Sequence, residues 1–547
     1  MRGVRMEGPF PRGVVAADHE LASRAGAGVL RAGGNAVDAA VATSLALSVV
    51  RPYSCGIGGG GFMIVRMVDD GTGQERITAF DYREAAPAAV EGDYFSSAGR
   101  SSTRGGTSVA VPGTVAGLVT AHERFGRLPL SKVVQPAIEL AERGFPADAH
   151  YAAMAQDLIG QFEEHPEWKQ RFSFVWERML LEGKVEVGSL IRVPEQAGVL
   201  RLIAERGRAG FYEGEVARQI VHRVRRDGGD ITLEDLRTYR PREFEPVRAR
   251  VFGYAFVGMP PPSSGGVTMV EALRIMEAAG YEIGRPDDAD NVHLMVEAIK
   301  HAFADRARWF GDPSFVDVPV ERLLDDANVR ARAEQIDRAH TQPTEAYGSR
   351  LPLRDDGGTS HFCVVDAEGN AVACTETINL EFGSLLAVDA FGFVLNDEMD
   401  DFVSVRGEPN AFGLVQGEQN LPAPGKRPLS SMAPTMVFDD QGLLVVAGAS
   451  GGPRIITATL QVILNVLAGA SAGEAVSTAR LHHQWMPDRL ELEPDAWRQG
   501  DLRARLESMG HVLGERSQIG CVQVIRRAER GWDAACDPRK GGRPAGD

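Results

Sequence analysis

Residues 355–383, DDGGTSHFCVVDAEGNAVACTETINLEFG, constrain this chain more than any other stretch. Two runs of alternating character flank the turn-forming Ala367-Glu368-Gly369-Asn370, which predicts an antiparallel hairpin. Thr359 begins the first strand and Thr377 ends the second, so the antiparallel return brings their hydroxyls together. Gly357 and Gly358 stand immediately before Thr359. A threonine hydroxyl is a poor nucleophile until the peptide bond preceding it is cut. The residue then carries a free α-amine, whose pKa of about 7.7–8.0 suits a general base near neutral pH. One residue thus supplies both nucleophile and base. The plain alternative for this stretch alone is a surface hairpin with ordinary strand threonines.

The rest of the chain bounds that choice. Its 547 residues allow a large core and, by length alone, roughly three or four domains. Hydrophobic residues at 44% and charged residues at 24% are those of a globular protein. A net charge of −16 and a pI near 5.3 argue against nucleic acid or an anionic membrane as partner. The five cysteines (Cys55, Cys363, Cys374, Cys521, Cys536) are scattered without a CxxC spacing, so neither zinc nor a redox pair is indicated. The opening MRGVRMEGPFPRG has basic residues but no apolar run after them. The expectation is a cytoplasmic chain, or a periplasmic or secreted one if an upstream leader is missing. The longest apolar run, residues 39–50, is too short to span a bilayer.

Helical spacing over 19–32 stops at Gly33-Gly34, and Asn35 is the expected N-cap of a helix over 36–50. The GIGGGG run at 56–61 precedes the strand-like FMIVRMV, whereas a phosphate loop needs a helix start there. Tight backbone packing is the better reading. Arg83 ends a strand and is either a surface charge or a fork for a substrate carboxylate. Helices are expected at 113–125, 130–143, 196–206, 213–226, 267–279 and 291–309, covering a sheet and interrupted by the turn cluster PPPSSGG at 260–266. Residues 340–358 read as a mobile loop. A strand is expected at 391–395, then the acidic cluster 396–401, a loop over 404–428, strands at 434–438 and 442–447, and a helix at 453–467.

Two nucleophiles compete. The rival to Thr359 is Ser450 in Gly448-Ala449-Ser450-Gly451-Gly452, a G-x-S-x-G between strand and helix, with Asp488 and His511 following in α/β-hydrolase order. The same glycines could instead offer backbone N–H groups to an oxyanion. A free amino-acid end needs a cation and hydroxyls for its carboxylate, and acids for its ammonium. Arg83, Ser430 and Ser431 supply the first set; Glu398, Asp401 and Asn379 supply the second. Each taken singly reads first as a structural or solvated residue.

From GVVAADHELASRAG at 13–26 to ACDPRKGG at 535–542, the chain resembles the γ-glutamyltranspeptidase family of N-terminal nucleophile hydrolases. The most specific part starts at Thr359 (TSHFCVVDAEGNAVACTETINLEFG), reinforced by NDEMDDF at 396–402, KRPLSSMAPT at 426–435, GASGGPRI at 448–455 and HHQW at 482–485. The resemblance implies an α/β fold, a four-layer αββα sandwich. It also implies autocatalytic cleavage between Gly358 and Thr359, giving a large subunit (1–358) and a small one (359–547) that stay paired. Thr359 would be the nucleophile, oriented by Thr377, with Gly451 and Gly452 as the oxyanion hole. Arg83, Ser430 and Ser431 would hold the substrate α-carboxylate; Asn379, Glu398 and Asp401 would hold its α-amine. The implied substrates are glutathione or other γ-glutamyl compounds, with water or an amino acid or peptide as acceptor, and no metal or organic cofactor. A cephalosporin or glutaryl acylase, or a poly-γ-glutamate-processing enzyme, is the alternative on the same machinery; a Ser450 esterase and a non-enzymatic relative are the more distant ones. Cys363 stands where the family has Ser or Thr, which would add oxidation sensitivity. Phe412 replaces a Tyr found in the lid loop of bacterial members.

Overall fold

The computed structural model describes residues 9–69, 71–96, 99–348, 358–403 and 417–547. The lid position Phe412, and residues 349–357 of the predicted loop, lie outside these. The principal strands in chain order are β1 (Val14–Ala17), β2 (Gly60–Val68), β3 (Glu75–Tyr82), β4 (Arg242–Phe244), β5 (Val247–Val251), β6 (Tyr254–Gly258), β7 (Gly358–Val365), β8 (Ala371–Asn379), β9 (Thr435–Asp439), β10 (Gly442–Ser450), β11 (Cys521–Arg527), β12 (Trp532–Cys536) and β13 (Ala545–Gly546). They form a seven-stranded sheet, β13-β1-β7-β8-β2-β3-β4, and a six-stranded sheet, β12-β11-β10-β9-β6-β5.

The predicted hairpin is β7–β8, at the centre of the first sheet, with Thr359 directly opposite Thr377. Its turn closes through Asp366, whose side chain accepts from the backbone N–H of Glu368 at 3.0 Å and of Asn370 at 2.9 Å. Alternation then sorts the side chains. Phe362, Val364, Val372 and Cys374 enter one core with residues of the helices α1 (Glu20–Arg31) and α2 (Ala36–Val50). Cys363, Val365, Ala371 and Ala373 enter a second core with Ala447 and Ala449 of β10 and Val522 of β11. Odd-numbered residues of both strands therefore point at the other sheet, and Thr359 and Thr377 are odd. The same rule aims His361 at β10. There Gly448 is required, because a Cβ would lie 2.3 Å from the imidazole.

Three further helices cover the second core: α3 (Gly265–Ala279), α4 (Ala289–Trp309) and α5 (Arg454–Leu467). Because one sheet feeds both large cores, the length-based count of three or four domains is not realised. The Asn35 cap holds as predicted: its side chain accepts from the N–H of Val37 and Asp38. The GIGGGG run is tight backbone packing, since a Cβ on Gly59 would stand 2.1 Å from the Thr377 carbonyl oxygen. Two expectations fail. The strand at 391–395 shrinks to Phe393–Val394, because Gly392 takes a left-handed conformation (φ 62°) that ends a short 3₁₀ turn. The loop at 340–358 is pinned over its first half: Thr341 N–H donates to the Met509 carbonyl at 2.8 Å, and Thr344 Oγ1 donates to Asp488 at 2.7 Å. Among the described residues no helix is long and apolar enough to cross a membrane.

Candidate active site

The site forms where the end of the hairpin meets three other chain segments. Thr377 Oγ1 donates to the Gly358 carbonyl oxygen at 2.7 Å and lies 3.5 Å from Thr359 Oγ1. It also accepts from the Asn379 N–H at 2.8 Å, across a register shift between residues 377 and 379. One hydroxyl thus touches both the carbonyl preceding Thr359 and the Thr359 side chain.

A small cavity of about 20 Å³ opens beside the threonines, lined by Arg83, Arg306, Asn379, Glu398, Asp401, Ser430, Ser431 and Gly452 among others. Arg83, at the end of β3, is buried and forks to Glu398 and Asp401; its Nε and Nη2 also donate to the Pro428 and Leu429 carbonyls at 3.3 Å. The acidic cluster is therefore not an exposed charged face but a buried 3₁₀ turn, Glu398–Asp401. The sequence reading gave Arg83 and these carboxylates to opposite ends of a ligand. Here they are paired with each other.

The electrostatics are those of acids held out of water. Burial raises Glu398 and Asp401, and Arg83 pulls both back down. Glu84, 3.7 Å from Arg83, is pushed up to about 7 by burial, against the same pull. Burial lowers Arg306 to about 10. Oδ1 of Asn379 is buried without a hydrogen-bond partner, and the Glu84 and Glu398 carboxyls meet side chain to side chain, sharing a proton when one of them is neutral. Buried polar atoms rarely remain unpartnered unless something else binds there. The two carboxyls, one amide oxygen and two guanidinium groups that line the cavity suit a zwitterion.

The serines sit just before β9. Ser431 Oγ accepts from Arg306 Nη2 at 3.2 Å, and Ser430 Oγ accepts from the Met432 N–H at 3.2 Å. The PPPSSGG turn supports them: Ser264 donates to the Ser430 carbonyl through its N–H at 2.8 Å and its Oγ at 2.6 Å. Gly451 and Gly452 (φ 123° and 56°) link β10 to α5, and their carbonyls accept the Arg454 and Ile455 N–H groups. Gly452 faces the small cavity. Gly451 faces a second one of about 380 Å³, which Thr359, Ser450, Tyr53, His150, Arg454, Arg516 and Lys540 also line.

The rival triad is not assembled. Ser450 Oγ contacts Lys540, whereas His511 pairs with His293 at 2.8 Å and Asp488 engages Thr344, His483 and Lys300. Cys363 is fully buried, its thiol pushed up by burial and donating to the Val446 carbonyl at 3.4 Å. That environment makes it inert rather than oxidation-sensitive. Sequence reasoning missed Glu84, Arg306 and Lys540. Arg306 did carry a signal, a cation on the otherwise apolar stripe Ile299-Ala302-Phe303 of α4. Glu84 and Lys540 carried none beyond membership of motif stretches.

The model of the gamma-glutamyltranspeptidase family matches residues 22–547. This chain belongs to that family. Within it, the glutathione hydrolase proenzyme of Escherichia coli K12 is 39% identical over 538 residues, covering 96% of this chain and 90% of the relative. A glutathione hydrolase proenzyme from Pseudomonas sp. A14 is 41% identical over 547 residues, covering 97% and 90%. Among solved structures, a cephalosporin acylase from Bacillus halodurans superposes with a TM-score of 0.85 at 27% identity, covering 100% of this chain and 99% of that one. A gamma-glutamyltranspeptidase from Pseudomonas nitroreducens, complexed with L-DON, gives 0.54 at 34% identity, covering 64% and 98%. As a gamma-glutamyltranspeptidase family member with a mixed α/β fold, the chain has relatives named for two different substrate classes.

Proposed function

We propose that this protein is an autoprocessed γ-glutamyltransferase and glutathione hydrolase, a four-layer αββα sandwich cut between Gly358 and Thr359. The carrying observation is convergence: one small cavity gathers Thr359, Thr377, Arg83, Asn379, Glu398, Asp401, Ser430, Ser431 and Gly452. The cut would leave 358 of 547 residues in the first piece, close to the 64% of this chain that the Pseudomonas nitroreducens chain covers.

In self-cleavage, Thr377 polarises the Gly358 carbonyl while Thr359 Oγ attacks it. The C–N bond breaks as the acyl group moves to oxygen, and the Oγ proton ends on nitrogen. That shift frees the Thr359 amine, and water then hydrolyses the ester, freeing the Thr359 hydroxyl and a Gly358 carboxylate. In turnover, that amine takes the Oγ proton as Oγ adds to the substrate's γ-carbonyl carbon. The Gly451 and Gly452 N–H groups stabilise the oxyanion, and loss of one such donor costs about 3–4 kcal/mol. The Thr359 ammonium passes that proton to the leaving nitrogen, which departs as the neutral amine, and water or an acceptor amine resolves the γ-glutamyl ester.

The small cavity has room for about one water. The substrate's amino-acid end therefore enters by exchange of partners. Its α-carboxylate takes over Arg83, with Ser430 and Ser431, and its α-ammonium takes over Glu398, Asp401 and Asn379. The scheme uses no metal or organic cofactor. A denaturing gel of wild type beside Thr359→Ala tests it: two fragments for the wild type and one chain for the variant are expected. One band for both, or two for both, overturns the reading.

The likeness to a cephalosporin acylase supports a second reading, a glutaryl-type acyl group. A glutaryl chain lacks the ammonium that the buried carboxyls call for. Turnover of γ-glutamyl-p-nitroanilide at least 100-fold above that of glutaryl-p-nitroanilide is expected, and the reverse order would favour the acylase.

A further inference from the structure

On the side of Thr359 away from the glutamyl cavity lies a buried cation with no part in the scheme above. Lys540 Nζ donates to the Thr359 carbonyl oxygen, stands 2.6 Å from Asp18 Oδ2 and lies 3.4 Å from Ser450 Oγ. Its side chain is 4% exposed. The surrounding frame is rigid and drawn from distant parts of the chain. Asp18 Oδ1 accepts from Gln523 Nε2 at 2.6 Å, and Arg51 Nη2 donates to the carbonyls of Asp18 at 3.0 Å and Lys540 at 3.3 Å. The turn bearing Lys540 is fixed through Asp537, which pairs with Arg480 at 2.6 Å and accepts from the Val522 N–H at 2.9 Å.

We propose that Lys540, held by Asp18, is a positioning residue for the nucleophile: it fixes the Thr359 backbone and keeps the α-amine released by cleavage as the free base. This rests on the reading of Thr359 as an N-terminal nucleophile. The backbone nitrogen and oxygen of one residue lie within about 3.6 Å of each other. The Lys540 ammonium is therefore within roughly 6 Å of the atom that becomes the amine. A cation that close disfavours a second positive charge. The amine then remains able to accept the Oγ proton at neutral pH.

The other charges near Thr359 largely cancel. In the larger cavity Asp157 and Glu381 face Arg454 and Arg516; in the smaller, Arg83 and Arg306 face Glu398 and Asp401. His150 is held neutral, lowered to about 3 by burial and by Lys540 and Arg51. Burial pushes Tyr53, Cys55 and Cys521 up, so they stay neutral too. Among the described residues, Lys540 is the one cation that hydrogen-bonds the Thr359 backbone, and Asp18 tempers it.

The test is the pH dependence of kcat/KM and kcat for γ-glutamyl-p-nitroanilide, from pH 5 to 10, for wild type, Lys540→Met, Lys540→Arg and Asp18→Asn. Each protein is first run on a denaturing gel. Wild type that is cut but inactive would count against the functional reading, not against this one. In Lys540→Met the acid limb is expected to move up by about 1 unit, giving a ~10-fold loss at pH 6 that nearly vanishes by pH 9. Lys540→Arg should keep the wild-type limb, and Asp18→Asn should move it down. A uniform loss in Lys540→Met with an unmoved limb overturns the proposal, as does the same shift in the Met and Arg variants. If Lys540→Met remains uncut, Asp18→Asn decides alone: a lower limb supports the proposal, and an unchanged or raised limb overturns it.

Discussion

Two buried polar clusters in this protein use nearly the same chemistry to opposite ends. In one, Lys300 Nζ donates to Thr341 Oγ1 at 2.7 Å and the Gln342 carbonyl at 3.1 Å, and lies 3.3 Å from Glu297. Glu297 in turn accepts from Thr341 and Tyr347. His293 donates from Nε2 to the Asp337 carbonyl at 2.7 Å and accepts from His511 at 2.8 Å. His293, Glu297 and His511 lie close enough together to hold an ion, yet protein donors already occupy both Glu297 oxygens. The other cluster, around Arg83, borders a small cavity and leaves the Asn379 Oδ1 oxygen buried without a hydrogen bond. A saturated network holds chain segments together, here residues 337–347 against α4 and residues 485–511. An unsaturated one that borders a cavity has room for a ligand. Burial and charge alone do not distinguish the two.

Arg83→Ala should break the unsaturated cluster most severely, lowering kcat/KM about 1,000-fold, or ~4 kcal/mol, with much of the loss in KM. A loss under tenfold in steady-state kinetics would place the α-carboxylate elsewhere. Lys300→Met should do the reverse. It leaves Glu297 buried without its cation, costing about 3 kcal/mol of stability in chemical denaturation, while KM stays put. A raised KM with unchanged stability would mean the saturated cluster is a site after all.

Glu398→Gln sharpens the contrast further. The carboxylate is raised by burial, so its neutral isostere should raise the melting temperature while kcat/KM falls about 10- to 30-fold. Loss of both stability and activity would make Glu398 structural. The last effect expected is a pH-dependent one at Glu84. Its folded pKa of about 7 lies above the ordinary carboxylate range, so the folded state binds the proton more tightly than the unfolded chain does. The stability this adds is full below the unfolded value and is lost as pH rises through about 7. Glu84→Gln, measured in the uncut Thr359→Ala background, should match its parent near pH 4.5. It should exceed the parent by about 3 kcal/mol above pH 7. A difference that is flat with pH would remove Glu84 from the set of strained acids.

The sequence by itself determined the hairpin, its turn and the facing of Thr359 and Thr377. Those follow from alternation and turn chemistry over about 25 residues, which act locally. It also determined half of the helices among the described residues, missing for example Ala149–Glu164, together with the Asn35 cap and the close packing of the GIGGGG run. Family likeness, not periodicity, selected Arg83, Asn379, Glu398, Asp401, Ser430 and Ser431 as a set. Only the tertiary structure decided that Arg83 grips Glu398 and Asp401 directly, that Arg306 joins them at the cavity while Glu84 backs Arg83, and that Lys540 reaches the Thr359 backbone. Only it separated Ser450 from Asp488 and His511, which share an order in sequence but not a place. The physical reason is separation along the chain. Lys540 and Thr359 are 181 residues apart, and Arg83 and Glu398 are 315 apart. Local pattern carries no information about partners that meet only when two sheets stack.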